Sequence, residues 1–264
     1  MEILGYFFAI VIGIVMGVIG GGGSILCVPV MAYLFKIDAI TATALSLFVV
    51  GITSSVGSVE FMKQKAVNFR TALLFGFPSI LGIIFSRRII VPNLPENIIN
   101  QWGILLTKEM FILIIFGLLM FFASIKMINK KQLEPLKTKE NNYTLIVSQG
   151  LFVGLITGFV GAGGGFLIVP ALVMLLRIPM KEAVGTSLFI ISINSLIGFA
   201  SSLDKVEINW NFLILFSSLS VLGILFGVQI SKKIDAKKLR PIFGWFIMIM
   251  GLWIIANELL FKNI

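Results

Sequence analysis

The sequence has no histidine, a single cysteine (Cys27), and charged residues at only 12% of its 264 positions. Without histidine there can be no imidazole-based catalytic triad, no histidine metal site and no histidine proton relay. One cysteine cannot form an intrachain disulfide or a cysteine-rich metal site. Soluble domains carry roughly 25% charged residues. The scarcity of charge here, together with 58% hydrophobic residues and a mean hydropathy of +1.06, makes the chain an integral membrane protein. Acids are the rarer sign, 12 against 21 basic residues, and the basic surplus sits in short loops between apolar runs. That distribution is a topology signal and not a nucleic-acid footprint. No polar stretch is long enough to fold separately. The start, Met1-Glu2-Ile3, lacks a basic n-region, so a cleaved signal peptide is not expected. The apolar runs show no clustered nucleophile or acid pair, so the chain is not read as an enzyme, and no cofactor or metal is expected.

What the sequence does contain is one glycine-rich membrane segment written twice, about 141 residues apart. Gly17-Val18-Ile19-Gly20-Gly21-Gly22-Gly23-Ser24, followed by Val28-Pro29, returns as Gly158-Phe159-Val160-Gly161-Ala162-Gly163-Gly164-Gly165, followed by Val169-Pro170. The register continues through Ser46-Leu47-Phe48 against Ser187-Leu188-Phe189, Asn68 against Asn209, and Gly82-Ile83 against Gly223-Ile224. From Gly17 to Ser86 about 24 of 70 aligned positions are identical, more than apolar composition produces in an ungapped match. Internal duplication in a hydrophobic chain is characteristic of transporters, and interrupted helices at matching places mark where a site is expected.

Apolar segments lie near 3–19, 24–35, 41–61, 71–91 and 107–128, with counterparts near 145–160, 165–176, 182–203, 210–230 and 241–261. The expected fold is an all-α polytopic membrane protein with two homologous repeats, glycine-broken short helices and about 8–10 membrane segments. Residues 1–128 form an N-terminal membrane repeat, 129–143 a basic cytoplasmic linker and 144–264 a C-terminal membrane repeat. The second segment of each repeat, some 12 residues or about 18 Å, is short for a hydrocarbon core of roughly 30 Å. It is a half-helix, a tilted piece, or the returning arm of a hairpin that turns at the glycines.

Lys126, Lys130, Lys131, Lys137 and Lys139 around the linker, and Lys232, Lys233, Lys237, Lys238 and Arg240 in the last loop, mark the cytoplasmic side. Five crossings between equivalent positions make the repeats inverted. Lys63, Lys65, Arg70, Arg177 and Lys181 then fall inside and both termini outside, with Lys36 and Arg87-Arg88 dissenting. Merging each short segment with its predecessor would make the count even and the repeats parallel. The near-neutral loop Asp204-Lys205-Val206-Glu207, opposite a basic loop at Lys63 and Lys65, favours inversion. The polar stretch Pro92 to Gln101 reads as an outer loop or short interfacial helix.

Gly13 and Gly17, repeated as Gly154 and Gly158, have the GxxxG spacing of close helix packing. The runs Gly20 to Gly23 and Gly161 to Gly165 are read as site-forming breaks, because clustered glycines cost helix stability that packing alone does not require. A helix restarting near Ser24 or Gly165 points its partial positive charge, about half an elementary charge, at a position where an anion can sit. Neither run is followed by Lys-Ser or Lys-Thr, so a nucleotide-binding P-loop is rejected. The third segments carry the other repeated polar feature: Ser46 aligns with Ser187, Thr53 with Asn194 and Ser54 with Ser195. Hydroxyls and amides can hold an oxyanion without a buried full charge, although any one of them can equally pair with the backbone. The candidate substrate-binding residues are Gly21, Gly22, Gly23, Ser24, Ser46, Thr53, Ser54, Gly163, Gly164, Gly165, Thr186, Ser187, Asn194 and Ser195. Glu60 and Glu109 lie near interfaces and read as solvated boundary carboxylates.

At these residues the chain resembles the TauE/SafE family, the sulfite exporter and anion permease group of prokaryotic membrane proteins. The paired glycine motifs with their Val-Pro dipeptides and Ala183-Val184-Gly185-Thr186-Ser187-Leu188 carry the resemblance, which spans essentially the whole chain. It implies a multi-pass protein of the plasma membrane that moves small anions, with sulfite and organosulfonates as known types. The first repeat departs at Ala44-Leu45, where the second has Gly185-Thr186, so a strictly twofold site is not expected. The expected partners are a small anionic substrate and the lipid bilayer, with no nucleic acid and with homo-oligomerisation left open. The function expected is export of sulfite, sulfonates or related sulfur oxyanions by alternating access. An uncoupled anion channel and an uptake permease of the same family are the alternatives.

Overall fold

The computed structural model describes residues 2–90, 93–95, 97–101, 104–128, 143–160, 165–200, 202–203, 206 and 208–260. Helix α1 spans Glu2–Ile19; a tight 3-10 turn, Gly21–Gly23, leads into α2, Ser24–Pro29, which widens into a π-turn over Val30–Leu34. The widening follows Pro29, whose missing N–H cannot continue the ordinary ladder. Helices α3 (Ala39–Lys63) and α4 (Phe69–Phe85, with a π-turn at Ser86–Ile90) follow. Strands β1 (Asn97–Gln101) and β2 (Ile104–Thr107) then form an antiparallel hairpin. Next come α5 (Lys108–Ile128), α6 (Tyr143–Val160), α7 (Gly165–Met174), α8 (Met180–Ala200), α9 (Trp210–Lys233) and α10 (Ala236–Leu260).

The all-α polytopic expectation holds. Four helices, Thr41–Lys63, Phe69–Ile90, Met180–Ala200 and Trp210–Lys233, are long and apolar enough to cross a membrane, and four shorter apolar ones accompany them. The stretch expected as an outer loop or interfacial helix is corrected in part: Asn97–Gln101 is a strand, paired through Gln101 with Ile104. Isoleucine and asparagine alternate poorly there for a helix, and pairing with Ile104–Thr107 satisfies the backbone instead. The linker residues 129–142, residues 161–164 of the second glycine run, and Asp204, Lys205 and Glu207 lie outside the described residues.

Local signals start the helices. Asp38, Asn68 and Asn209 cap α3, α4 and α9, their side chains accepting from Thr41, Thr71 and Phe212 amides at 2.9, 2.9 and 3.2 Å. Each satisfies an N–H that the first turn leaves unpaired. Backbone detail recurs at the spacing read from sequence. Lys36 and Arg177 both adopt left-handed φ, 56° and 52°, which lets Ile37 donate to Met31 at 3.3 Å and Ile178 to Leu172 at 3.1 Å. Ser46 and Ser187 both donate to the carbonyl three residues back, Thr43 and Val184, at 2.8 Å.

Glycine contacts fix how the helices run. A Cβ at Gly51 would meet Leu196, and one at Gly198 would meet Leu47, so α3 and α8 are antiparallel. Gly117 lies against Gly251 and Ile255, and Gly244 against Met127 and Ile128, so α5 and α10 are antiparallel too. Gly13 and Gly17 of α1 face Gly223 and Gly227 of α9, and Gly150 and Gly154 of α6 face Phe75 and Ser79 of α4. Both of those pairs are parallel, and the GxxxG glycines of α1 are packing residues, as their spacing suggested. Arg70, at the start of α4, sits 4.6 Å over the ring of Tyr143, at the start of α6. The ends of α3 and α9 and the starts of α4, α6 and α8 therefore gather at one end of the molecule.

After Gly20 the chain folds back along α1, Gly23 beside Met16 and Ile12, Gly5 beside Phe35, with the Tyr6 and Phe35 rings 5.2 Å apart. The short second segment is thus the returning arm of a hairpin. This corrects the parity argument: a hairpin contributes two crossings or none, so merging its arms leaves the count odd. The α3–α8 pair forms the centre and is more deeply buried than α4 and α9. Outward faces bear Phe77, Leu81, Ile214, Leu222 and Phe226, an apolar surface that only lipid or another apolar partner can cover.

Candidate functional site

The α1–α2 turn depends on Gly20, whose backbone (φ 82°, ψ −139°) is open to glycine and strained for other residues. Its N–H still donates to Met16 at 2.8 Å. Every neighbouring glycine is buried against protein. Gly20 lies at Ser187 and Val169, Gly21 at the backbone of Gly165 and at Ile191, Gly22 at the Phe243 ring, and Gly23 at α1. The two break segments touch each other, since a Cβ at Gly21 would run into the Gly165 carbonyl. Helix α2 restarts at Ser24 and α7 at Gly165, where the sequence placed them. Gly163 and Gly164 lie outside the described residues. In this conformation close packing accounts for Gly21, Gly22 and Gly23, and the first break is closed.

The polar candidates divide by what their hydrogens do. Ser24 donates to Gly21 at 2.7 Å, Ser46 to Thr43 and Ser187 to Val184 at 2.8 Å each, and Ser54 to Val50 at 2.5 Å. Their hydroxyl hydrogens are committed to their own helices. Thr186 is also occupied: its Oγ1 accepts from the Asn68 amide at 3.0 Å. Beside it Asn68 Nδ2 donates to Glu182 at 2.8 Å, and Gly185 admits the Ala66 carbonyl where a Cβ would stand. This contact explains the break in the repeat. Gly185 and Thr186 receive the α3–α4 loop, a task that Ala44 and Leu45 are not shaped to perform. Thr186→Val should leave the Asn68 N–H without its acceptor and lower stability by about 1–2 kcal/mol. A melting temperature in lipid nanodiscs equal to wild type would remove this role.

Three candidates keep atoms with no partner: Thr53 Oγ1, Ser195 Oγ and Asn194 Oδ1. Thr53 is 0% exposed and Ser195 1%. On α3, residues 47, 51, 54 and 58 share the face toward α8 by helical spacing, so Ser54 belongs to the central seam and Thr53 to its shoulder. Asn194 turns to α4, its Nδ2 donating to Ser79 Oγ at 3.2 Å, while Ser79 spends its own hydrogen on Gly76 at 2.7 Å. That commitment fixes the amide orientation: one Nδ2 hydrogen goes to Ser79, the second is left to donate elsewhere, and Oδ1 has no partner. The structure also leaves Ser217 and Ser220 of α9 buried and unpartnered. The alignment paired Ser220 with Ser79, but their use emerges only from which helix α9 packs on. Among the described residues, every buried polar side chain is Ser or Thr and none is charged. Such a surface can bind a small polar or ionic group through neutral dipoles at much lower cost than a buried charge.

Comparison with known proteins agrees with this architecture. The family described as sulfite exporter TauE/SafE matches residues 6–254. A probable membrane transporter protein of Methanocaldococcus jannaschii is 25% identical, with 93% of this chain and 94% of that protein covered. The probable membrane transporter protein YunE of Bacillus subtilis is 26% identical, with 94% and 96% covered. One from Xylella fastidiosa is 26% identical, with 92% and 91% covered. No solved structure matches. With nearly the full length matched, and a glycine-turned hairpin and a neutral polar centre in place, the chain belongs to the TauE/SafE family of membrane transporters.

Proposed function

We propose that the protein carries a small oxyanion, a sulfite or sulfonate, across the plasma membrane by alternating access between two inverted repeats, residues 1–128 and 144–264. The observation that carries this is the pair of buried hydroxyls, Thr53 and Ser195, unpartnered in the middle of the central helices. A hydroxyl left unpaired in a membrane interior costs about 1–3 kcal/mol, and a transported anion is the group that would satisfy it. Inversion is supported by the antiparallel packing of the equivalent helices α3 with α8 and α5 with α10. Equivalent helices meeting about a twofold axis along the membrane normal would run parallel. Lys63, Lys65, Arg70, Arg177, Lys181, Lys232 and Lys233 lie at the end where α3 and α9 finish, and the positive-inside rule makes that end cytoplasmic. Tyr143, where the basic linker meets the second repeat, lies at that end under Arg70. An inside-negative potential favours anion exit by about 2.3 kcal/mol per charge per 100 mV, which supports export.

The test is uptake and efflux of sulfite, sulfate and methanesulfonate by purified protein in proteoliposomes, with and without imposed pH and voltage gradients. Saturable sulfite or sulfonate movement at carrier turnover is expected; conductance far above it would make the protein a channel. Ser195→Ala should weaken the apparent affinity for the carried anion about 10-fold, the effect of one hydrogen bond to a charged ligand. Unchanged affinity in a folded variant would remove Ser195 from the site. Asn194→Leu also breaks the bond to Ser79, so Ser79→Ala must be measured beside it.

A further inference from the structure

We infer that Ser217 and Ser220 of α9, together with Thr53 of α3, form a one-sided subsite of hydroxyl donors for the transported anion, in a place that the other half of the molecule fills with the Asn194 carboxamide. The inference rests on the anion-transport reading. Its basis is a difference between equivalent positions. At the α8–α4 contact Asn194 of α8 donates to Ser79 of α4 at 3.2 Å, and Gly76 of α4 lies 3.6 Å from Ile190 of α8 through an added Cβ. The equivalents at the α3–α9 contact are Thr53 for Asn194, Ser220 for Ser79 and Ser217 for Gly76. Gly57 of α3 packs on Ile224 of α9. One helical turn earlier on these parallel helices, Thr53 stands level with Ser220.

Threonine is too short to span the gap that asparagine bridges. Thr53, Ser217 and Ser220 are 0%, 5% and 0% exposed, and none has a hydrogen-bond partner. Nor does any of them bond its own helix, as Ser54, Ser55, Ser58 and Ser218 do. All three sit near the middle of α3 and α9, the depth at which repeat transporters hold their substrates. Three hydroxyls with free hydrogens match an oxyanion, whose oxygens only accept.

Sulfite KM in proteoliposomes and melting temperature in anion-free nanodiscs should be measured for Thr53→Val, Ser217→Ala and Ser220→Ala, with Thr53→Ser as the rescue and Ser79→Ala as the opposite-half control. Thr53→Val and Ser220→Ala should each raise KM about 10-fold without lowering the melting temperature, because an unpaired hydroxyl is replaced by an apolar group. Thr53→Ser should restore KM and Ser79→Ala should leave it within about twofold. Unchanged KM in folded Thr53→Val and Ser220→Ala, or a changed sodium dependence at constant sulfite KM, overturns the subsite. If Ser195→Ala alone loses affinity, the subsite falls and the anion reading stands. A wild-type protein that moves neither sulfite nor methanesulfonate overturns both.

Discussion

Gly13→Val should yield no monodisperse, folded protein, while Gly76→Ala should melt at or slightly above the wild-type temperature. At Gly13 a Cβ would collide with the Ser220 carbonyl oxygen and stand 2.7 Å from the Ile224 nitrogen and 2.9 Å from Gly223 Cα. All three are backbone atoms, so no rotamer change relieves the overlap and α1 must leave α9. Overpacking of ordinary cores costs about 1–3 kcal/mol; separating a whole helix seam exceeds that and consumes much of a stability of about 5–15 kcal/mol. Gly76 of α4, on the side toward α8, is open. Its nearest contacts are Ile190 side-chain carbons at 3.6 Å, and alanine gains up to about 1 kcal/mol of helix propensity. Fluorescence-detected size-exclusion and thermal melts of the two variants read the difference. A monodisperse Gly13→Val with a wild-type melting point would show that the α1–α9 seam is not needed for the fold.

The second large effect is at the hairpin turn. Gly20→Ala should abolish measurable anion uptake in proteoliposomes and lower the melting temperature. Alanine at φ 82°, ψ −139° carries strain of about 1–3 kcal/mol. Its Cβ would also stand 2.9 Å from Ser187 Oγ and 3.1 Å from Val169 Cγ2, so contact adds to strain. Relaxing either one moves the turn off the central helix α8 and pulls α2 with it. Gly22→Leu is less informative, because its Cβ would meet the buried Phe243 ring at 2.6 Å and any loss of transport would follow from packing alone. Near-normal uptake by Gly20→Ala would mean that the turn does not shape the transport pathway.

The sequence by itself determined the membrane class, the ten apolar segments, the 141-residue register and the glycine breaks, because hydropathy, spacing and glycine content are local quantities. Segment boundaries such as 41–61 against Ala39–Lys63, and 210–230 against Trp210–Lys233, follow from apolar length and from the capping Asp38 and Asn209. What each polar group touches was not local. The paired strip of hydroxyls looked uniform in sequence. Only the packing of α3 on α8 and α9, and of α8 on α4, divided it into back-bonded Ser46, Ser54 and Ser187, the loop acceptor Thr186, and the unpartnered Thr53 and Ser195. The first short segment could be a half-helix, a tilted piece or a returning arm until Gly23 was seen beside Met16 and Phe35 beside Gly5. Glycine permits a turn without prescribing its direction; the contacts that close the hairpin lie between residues far apart in the chain, and they decide it.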